Sequence, residues 1–224
     1  MAEKSPAGDD AARRLRITEI FHSLQGESRT VGLPTVFVRL TGCPLRCVYC
    51  DTEYAFRDGR WMDMDEVLGE VAAFTTHHVT VTGGEPLAQK ACLPLLTALC
   101  DAGHEVSLET SGALDVAAVD RRVVKVMDLK TPGSGEVARN LYRNLEHIGE
   151  RDQIKFVVSD REDYDWMRAC LKEHALSGKC EILVSPVHGR LAPARLAEWV
   201  LADRLPVRFQ IQLHKYLWGE ERGR

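Results

Sequence analysis

The chain contains no apolar run approaching the roughly 20 residues that span a bilayer. It has no basic surplus: the formal net charge is -4 at pH 7. A general nucleic-acid binder would carry the opposite balance, whereas a small anionic ligand needs only a few local Arg and Lys residues. Internal repeats, low-complexity tracts and dividing linkers are also lacking. The first fourteen residues, Met1 to Arg14, are small, charged and polar. They lack the apolar core of a secretory signal and read as a loose tail. Residues 15–224 then read as a single domain, long enough for one well-buried core. These absences predict a cytoplasmic protein without membrane or nucleic-acid partners. In that compartment the seven cysteines stay reduced, so metal binding or catalysis is favoured over a disulfide framework.

What recurs along the chain is a short apolar run followed by a helical stretch. Runs rich in Val and Ile predict strands at Arg16–Ile20, Val36–Leu40, Val79–Thr82, Val106–Glu109, Val123–Asp128, Ile154–Val158, Ile182–Ser185 and Arg208–Leu213. Helical spacing marks Asp63–Thr75, Leu87–Ala102, Ala138–Ile148, Glu162–His174 and Ala192–Ala202. Asp63 with Glu66 three residues on fits a capping box. Alternating strand and helix implies α/β architecture with a parallel sheet. Linkers such as Ser111–Arg122 are short for a crossover helix. The expected fold is therefore an eroded, partial (β/α) barrel of about six parallel strands, of TIM type, with extra strands at its ends. Chemistry then belongs at the carboxyl ends of the strands. Polar residues stand there: Thr41-Gly42-Cys43, Thr82 to Pro86, Glu109 to Gly112, Asp128-Leu129-Lys130, Ser185-Pro186 and His214-Lys215. Any one of these alone reads equally well as a turn or a helix cap.

Cys43, Cys47 and Cys50 have the spacing C-x3-C-x2-C on a loop after a strand. Three thiolates hold three irons of a four-iron cluster and leave one iron open, as a reactive centre requires. A structural zinc would need a fourth ligand, and no second Cys/His pair lies at finger spacing nearby. Cys92, Cys100, Cys170 and Cys180 are scattered and read as packing cysteines.

Tyr49 precedes the last cysteine, and Gly83-Gly84-Glu85-Pro86 follows a later strand. Together these motifs resemble the radical S-adenosylmethionine (SAM) superfamily. The resemblance implies a radical SAM core with a [4Fe-4S] cluster and SAM chelated to its open iron. Glycines there would let the backbone approach SAM closely. Ile20 to Glu27, Gly32-Leu33-Pro34, Phe37-Val38-Arg39, Cys50-Asp51-Thr52 and Gln212 to Gly219 narrow it. From about Leu15 to the C-terminus the chain resembles the 7-carboxy-7-deazaguanine synthase family. That resemblance implies a lyase of queuosine and deazapurine biosynthesis, upstream of tRNA modification. Its reaction contracts the ring of 6-carboxy-5,6,7,8-tetrahydropterin with release of ammonia. It further implies Mg²⁺, a homodimer, and an electron donor such as flavodoxin or ferredoxin.

Carried over residue by residue, the resemblance assigns Leu24, Gln25, Gly26, Glu27, Arg39, Thr82 and His214 to the substrate. Thr52 becomes the Mg²⁺ ligand, with Asp51 as its support. Tyr49, Cys50, Asp51, Gly83, Gly84, Glu85, Glu109, Ser111, Asp128, Leu129, Lys130 and Ser185 become SAM contacts. Two departures stand out. Asp128-Leu129-Lys130 occupies the place of a Ser-Pro-Lys segment, and Ser28 that of a frequent glycine. Lys155 interrupts an apolar run and is expected to reach solvent by its stem. Another radical SAM enzyme, such as a glycyl-radical-enzyme activase, shares the cysteine loop but not Leu24–Glu27 or His214–Gly219.

Overall fold

The structure, a computed structural model, describes residues 13–224. Nine strands form one sheet: β1 (Arg14–Leu24), β2 (Pro34–Leu40), β3 (Arg60–Asp63), β4 (His78–Gly83), β5 (Glu105–Thr110), β6 (Val124–Asp128), β7 (Gln153–Val158), β8 (Glu181–Pro186) and β9 (Arg208–Phe209). Their order is β3-β1-β2-β4-β5-β6-β7-β8-β9. From β2 to β9 every pairing is parallel, while β1 runs antiparallel to both β2 and β3. The sheet is thus an open barrel of six full parallel strands, with the two-residue β9 at one edge and an antiparallel pair at the other. Helices α1 (Met64–Ala72), α2 (Cys92–Asp101), α3 (Arg161–Glu173), α4 (Pro193–Ala202) and α5 (Leu213–Trp218) complete the chain.

Strand alternation separates two faces. On β7, Ile154, Phe156 and Val158 are fully buried in the hydrophobic core, while Lys155 and Val157 line a pocket. On β2, Val36, Val38 and Leu40 enter the core, and Phe37 and Arg39 line the same pocket. Leu95, Leu96 and Leu99 of α2, Met167 and Leu171 of α3, and Leu196 of α4 join that core. Each such side chain contributes about 1.5–3 kcal/mol of burial free energy. The barrel therefore has an apolar outside, covered by helices, and a polar interior open at the strands' carboxyl ends.

The capping box expected at Asp63 is present, its backbone N–H donating to Glu66 Oε2 at 2.8 Å. Four expectations are corrected. The tail expected over residues 1–14 lies outside the described residues as far as residue 12, but Arg14 already belongs to β1. Leu87–Ala102 is not one helix. A 3₁₀ turn at Pro86–Ala88 precedes α2, because Gln89 is extended and its amide bonds to Arg16 and Thr41. Ala138–Ile148 is not an α-helix but two 3₁₀ turns, Val137–Arg139 and Tyr142–His147. Here Asn140 exchanges side-chain hydrogen bonds with both backbone groups of Lys130, and Asn144 binds Gly112, Leu114 and Val116. Such side-chain competition draws the backbone out of helical geometry. Finally, the strand expected at Arg208–Leu213 stops at Phe209. The chain then leaves the sheet, Leu213 N donates to Gly26 O at 3.0 Å, and α5 begins. His214 and Lys215 thus lie on a helix rather than at a strand end.

Candidate active site

A pocket of about 510 Å³ opens at the carboxyl ends of the parallel strands. The loop after β2 carries the three cysteines, all free and all half-buried on the pocket wall. The loop backbone is pinned from several sides. Gly42 N donates to Ala55 O at 2.8 Å, Glu85 N to Gly42 O at 2.7 Å, and Val48 N to Ser134 O at 3.0 Å. Arg46 donates to the carbonyls of Cys43 and Leu45 and stacks on the Phe56 ring at 4.3 Å. Burial raises the pKa of each of the three thiols. A metal would reverse that preference by binding the thiolate. Among the described residues no group of His, Cys, Asp or Glu side chains is arranged to hold a single metal ion. Three free thiols on one rigid loop, facing a common cavity, fit a polynuclear cluster better than one zinc.

The glycines of Gly83-Gly84-Glu85-Pro86 serve the protein backbone. A Cβ on Gly84 would lie 2.1 Å from Gly42 O, and one on Gly83 would lie 2.7 Å from Leu40 O. Their smallness therefore lets the β4 end press against the cysteine loop, while both still line the pocket. Glu85 does not line it. Its fully buried carboxylate accepts from Leu87 N, Thr110 Oγ1 and Ser111 N, at 3.0, 3.0 and 2.7 Å. It clamps the ends of β4 and β5 together, with its side chain outside the pocket lining.

The loop after β1 brings Leu24, Gln25, Gly26 and Glu27 to the opposite wall. Gln25 Nε2 donates to Thr80 Oγ1 at 3.1 Å, and its Oε1 accepts from Glu27 N at 3.2 Å. Ser28, where glycine is frequent in the resembling family, keeps the left-handed turn at φ 69°. Its hydroxyl lies 3.0 Å from Thr30 Oγ1. Arg39 Nε donates to Glu19 Oε1 at 2.7 Å, the same oxygen that accepts from Tyr54 at 2.8 Å. Glu109 accepts from Thr82 Oγ1 at 3.1 Å, and burial raises its pKa despite nearby Lys155 and Arg39.

Asp51 and Thr52 sit at the rim, with Thr52 Oγ1 donating to Asp51 Oδ1 at 2.7 Å. Burial opposes the charge of Asp51, but that hydrogen bond and Lys215 win and hold its pKa down to about 2. Tyr49 reaches Val157 O at 3.3 Å, and burial pushes its phenol up to about 12. His214 packs over Gly26, and burial lowers its pKa although Glu27 and Asp51 pull the other way.

Deeper in, Asp128 meets Lys130 at 2.5 Å, and the two lysines, Lys130 and Lys155, overcome burial to depress its pKa. Leu129 is buried in the hydrophobic core, and Ser185 is fully buried with its hydroxyl unpartnered; neither lines the pocket. Strand alternation sets Ser185 on the interior face, level with pocket-lining Val157, whereas Leu129 turns into the core. Sequence reasoning missed Lys155, Tyr54 and Gln212. Lys155 does not reach solvent: it is 9% exposed and bonds Glu27. Its signal was available, since it stands out of phase with Ile154, Phe156 and Val158.

Comparison with known proteins agrees with this geometry. The model of the radical SAM superfamily matches residues 37–131. The chain is 48% identical to 7-carboxy-7-deazaguanine synthase of Chlorobaculum tepidum, over 92% of this chain and 96% of the relative. It is 42% identical to the synthase of Koribacter versatilis, over 92% and 98%. The crystal structure of QueE from Escherichia coli superposes with a TM-score of 0.73 at 26% identity, over 90% of this chain and 95% of that one. Streptococcus suis SuiB bound to S-adenosylmethionine shares the fold at a TM-score of 0.54 and 16% identity, over 76% and 48%. By these relatives and by its fold, the chain belongs to the 7-carboxy-7-deazaguanine synthase family of the radical SAM superfamily.

Proposed function

We infer that the chain converts 6-carboxy-5,6,7,8-tetrahydropterin to 7-carboxy-7-deazaguanine with loss of ammonia. One observation carries this reading. The free thiols of Cys43, Cys47 and Cys50 share a single pocket with Gln25, Glu27, Arg39, Thr82, Glu109 and His214. Those three thiolates would hold a [4Fe-4S] cluster, which with SAM would supply a radical able to take hydrogen from a substrate carbon.

The rest of the work belongs to this chain's side chains. Gln25, Glu27, Thr82 and Glu109 offer donors and acceptors around one cavity, suited to the flat edge of a pterin with its guanidine-like pattern. Arg39, fixed by Glu19 and Tyr54, presents a cation to the substrate carboxylate. Neutral His214 beside Glu27 supplies either a donor or an acceptor. Thr52 and the ionised Asp51 are hard oxygen donors suited to Mg²⁺, which keeps several waters and takes substrate oxygens. Gly83, Gly84, Tyr49, Ser111, Asp128 and Lys130 line the part of the pocket around the cysteine loop, where SAM would lie. Together they orient the reactants and exclude water, which is the protein's share of cofactor-driven chemistry.

The wider reading is one domain over residues 15–224, supported by the single continuous sheet. It includes a homodimer and a flavodoxin- or ferredoxin-type electron donor. Among the described residues no helix is long and apolar enough to cross a membrane.

The test is anaerobic reconstitution with iron and sulfide, then reduction with SAM, Mg²⁺ and the carboxytetrahydropterin, with products read by mass spectrometry. Formation of 7-carboxy-7-deazaguanine, abolished by Cys50→Ala, is the expected result. Deoxyadenosine without the deazaguanine would leave a radical SAM enzyme acting on another substrate. Failure to assemble a cluster would overturn the whole reading.

A further inference from the structure

Lys155 stands at the centre of a row of charges that crosses the pocket. Its Nζ lies 2.5 Å from Glu27 Oε2 and 3.5 Å from Asp128 Oδ1. The other Glu27 oxygen accepts from Gln212 Nε2 at 2.8 Å, and the other Asp128 oxygen accepts from Lys130 at 2.5 Å. Asp128 Oδ1 is buried and receives no hydrogen bond. Lys155 is therefore the counter-charge on that side. Glu109 lies close enough to add to the field, and with Asp128 and Glu27 it keeps the Lys155 ammonium charged against burial. Two carboxylates thus contact one ammonium, and a third adds to its field.

The two ends of this row belong to different ligands. Glu27 sits in the segment assigned to the pterin, and Asp128–Lys130 in the segment assigned to SAM. We infer that Lys155 is a positioning residue that ties Glu27 to Asp128, so that the pterin and SAM bind cooperatively. The inference rests on the functional reading above.

Its physical basis is the cost of uncompensated buried charge. Without Lys155, Glu27 and Asp128 face each other and Glu109 across a poorly solvated cavity. Asp128 keeps Lys130, but Glu27 loses its ion-pair partner and is free to move. That movement removes Glu27 as a fixed acceptor for the pterin edge. Pterin binding suffers first, while the cysteine loop, held by Gly42, Ala55 and Ser134, is untouched. With Lys155 present, a ligand that fixes Asp128 also fixes Glu27 through it. The second ligand then meets an ordered site, which is the origin of a coupling free energy.

The test uses the full chain with its cluster reconstituted. Wild-type turnover of the pterin is measured first, and its failure would sink the functional reading before any variant is made. The SAM dissociation constant of the oxidised holoenzyme is then measured with and without saturating pterin. Wild type is expected to bind SAM at least about fivefold more tightly with pterin present. In Lys155→Met, which keeps the apolar stem, that factor falls below about twofold. The pterin KM rises about tenfold or more, while kcat stays within about threefold. Lys155→Arg, which keeps the charge, brings KM back to within about threefold of wild type. Undiminished coupling or an unmoved pterin KM in Lys155→Met overturns the inference. So does an arginine variant no better than the methionine one. Should Lys155→Met fail to load a cluster, Lys155→Gln replaces it, and coupling above about fivefold in that variant overturns the inference equally.

Discussion

At the residue scale the site depends on close approach. A Cβ on Gly26 would lie 2.3 Å from His214 Nδ1 and 3.1 Å from its ring carbon Cγ. The imidazole must then shift from its place on the pocket wall. Gly26→Ala is therefore expected to raise the pterin KM about tenfold or more, with iron content unchanged. Steady-state kinetics beside an iron assay checks this. His214 itself makes a pH prediction. Its folded pKa lies below the ordinary 6.5, chiefly through burial. The folded state thus binds its proton less readily than the unfolded state. The contribution is fully present above about pH 6.5 and is lost as pH falls through the folded value. Pterin affinity should follow the same direction, weakening in acid, where a charged imidazole would be buried. A His214→Gln variant, unable to titrate, should flatten that part of the pH profile of kcat/KM.

The cysteine spacing was legible because ligand chemistry fixes it locally. Strand parity agrees with the resemblance at Arg39, which faces the pocket opposite in phase to Val38 and Leu40. What escaped was partnership across the barrel. Lys155 looked like a snorkelling lysine, because nothing near it in sequence announces that Glu27, 128 residues away, arrives to meet it. Glu85 shows the converse: its motif pointed at a ligand, whereas its carboxylate is taken up by Thr110 and Ser111 at the end of the next strand.

At the scale of elements, the parallel strands were legible because Val- and Ile-rich runs have few other uses. Helix boundaries were not, where a polar side chain found a distant backbone partner. Gln89 shows this best. Its amide accepts from Arg16 N at 2.8 Å and donates to Arg16 O at 2.9 Å and Thr41 O at 3.0 Å. It thereby ties the segment after β4 to β1 and to the approach of the cysteine loop. Periodicity alone continued a helix through this position, whereas the hydrogen bonds hold it extended. Gln89→Ala leaves these backbone groups without their partner. The expected loss is about 2–3 kcal/mol of stability, from several hydrogen bonds at about 1 kcal/mol each. Denaturant unfolding of the cluster-free protein would measure it. A loss under about 0.5 kcal/mol would mean that water replaces the amide at no cost. The missing helix at Ala138–Ile148 has the same cause, with Asn140 and Asn144 as the competing residues.

At the scale of the whole molecule, the barrel and its closure are separate structures. The sheet ends at Phe209, and α5 contributes no buried residue to the core. Yet the segment beyond it meets the pocket wall of Glu27, Asp51 and Tyr54 repeatedly. Gln212 donates to Glu27 at 2.8 Å and to Asp51 at 3.2 Å, and Lys215 lies 3.3 Å from Asp51. Arg222 stacks over Tyr54 at 4.3 Å, and Tyr54 shares Glu19 with Arg39. No period in the sequence could show that a short polar helix folds back over a distant loop. The strand-end reading reached His214 only through a strand that in fact stops at Phe209. Removing residues 212–224 should therefore cost the barrel little, with a melting temperature lowered by about 4 °C or less. Iron loading and substrate-free formation of deoxyadenosine should persist, because the backbone anchors of the cysteine loop at Ala55, Glu85 and Ser134 lie elsewhere. Turnover of the pterin should fall by about 100-fold or more, since His214 and the partners that steady Glu27, Asp51 and Tyr54 leave together. Were deoxyadenosine formation to vanish with it, closure by this segment would be needed for SAM as well, and the division between a cofactor-holding barrel and a substrate-holding cover would fail.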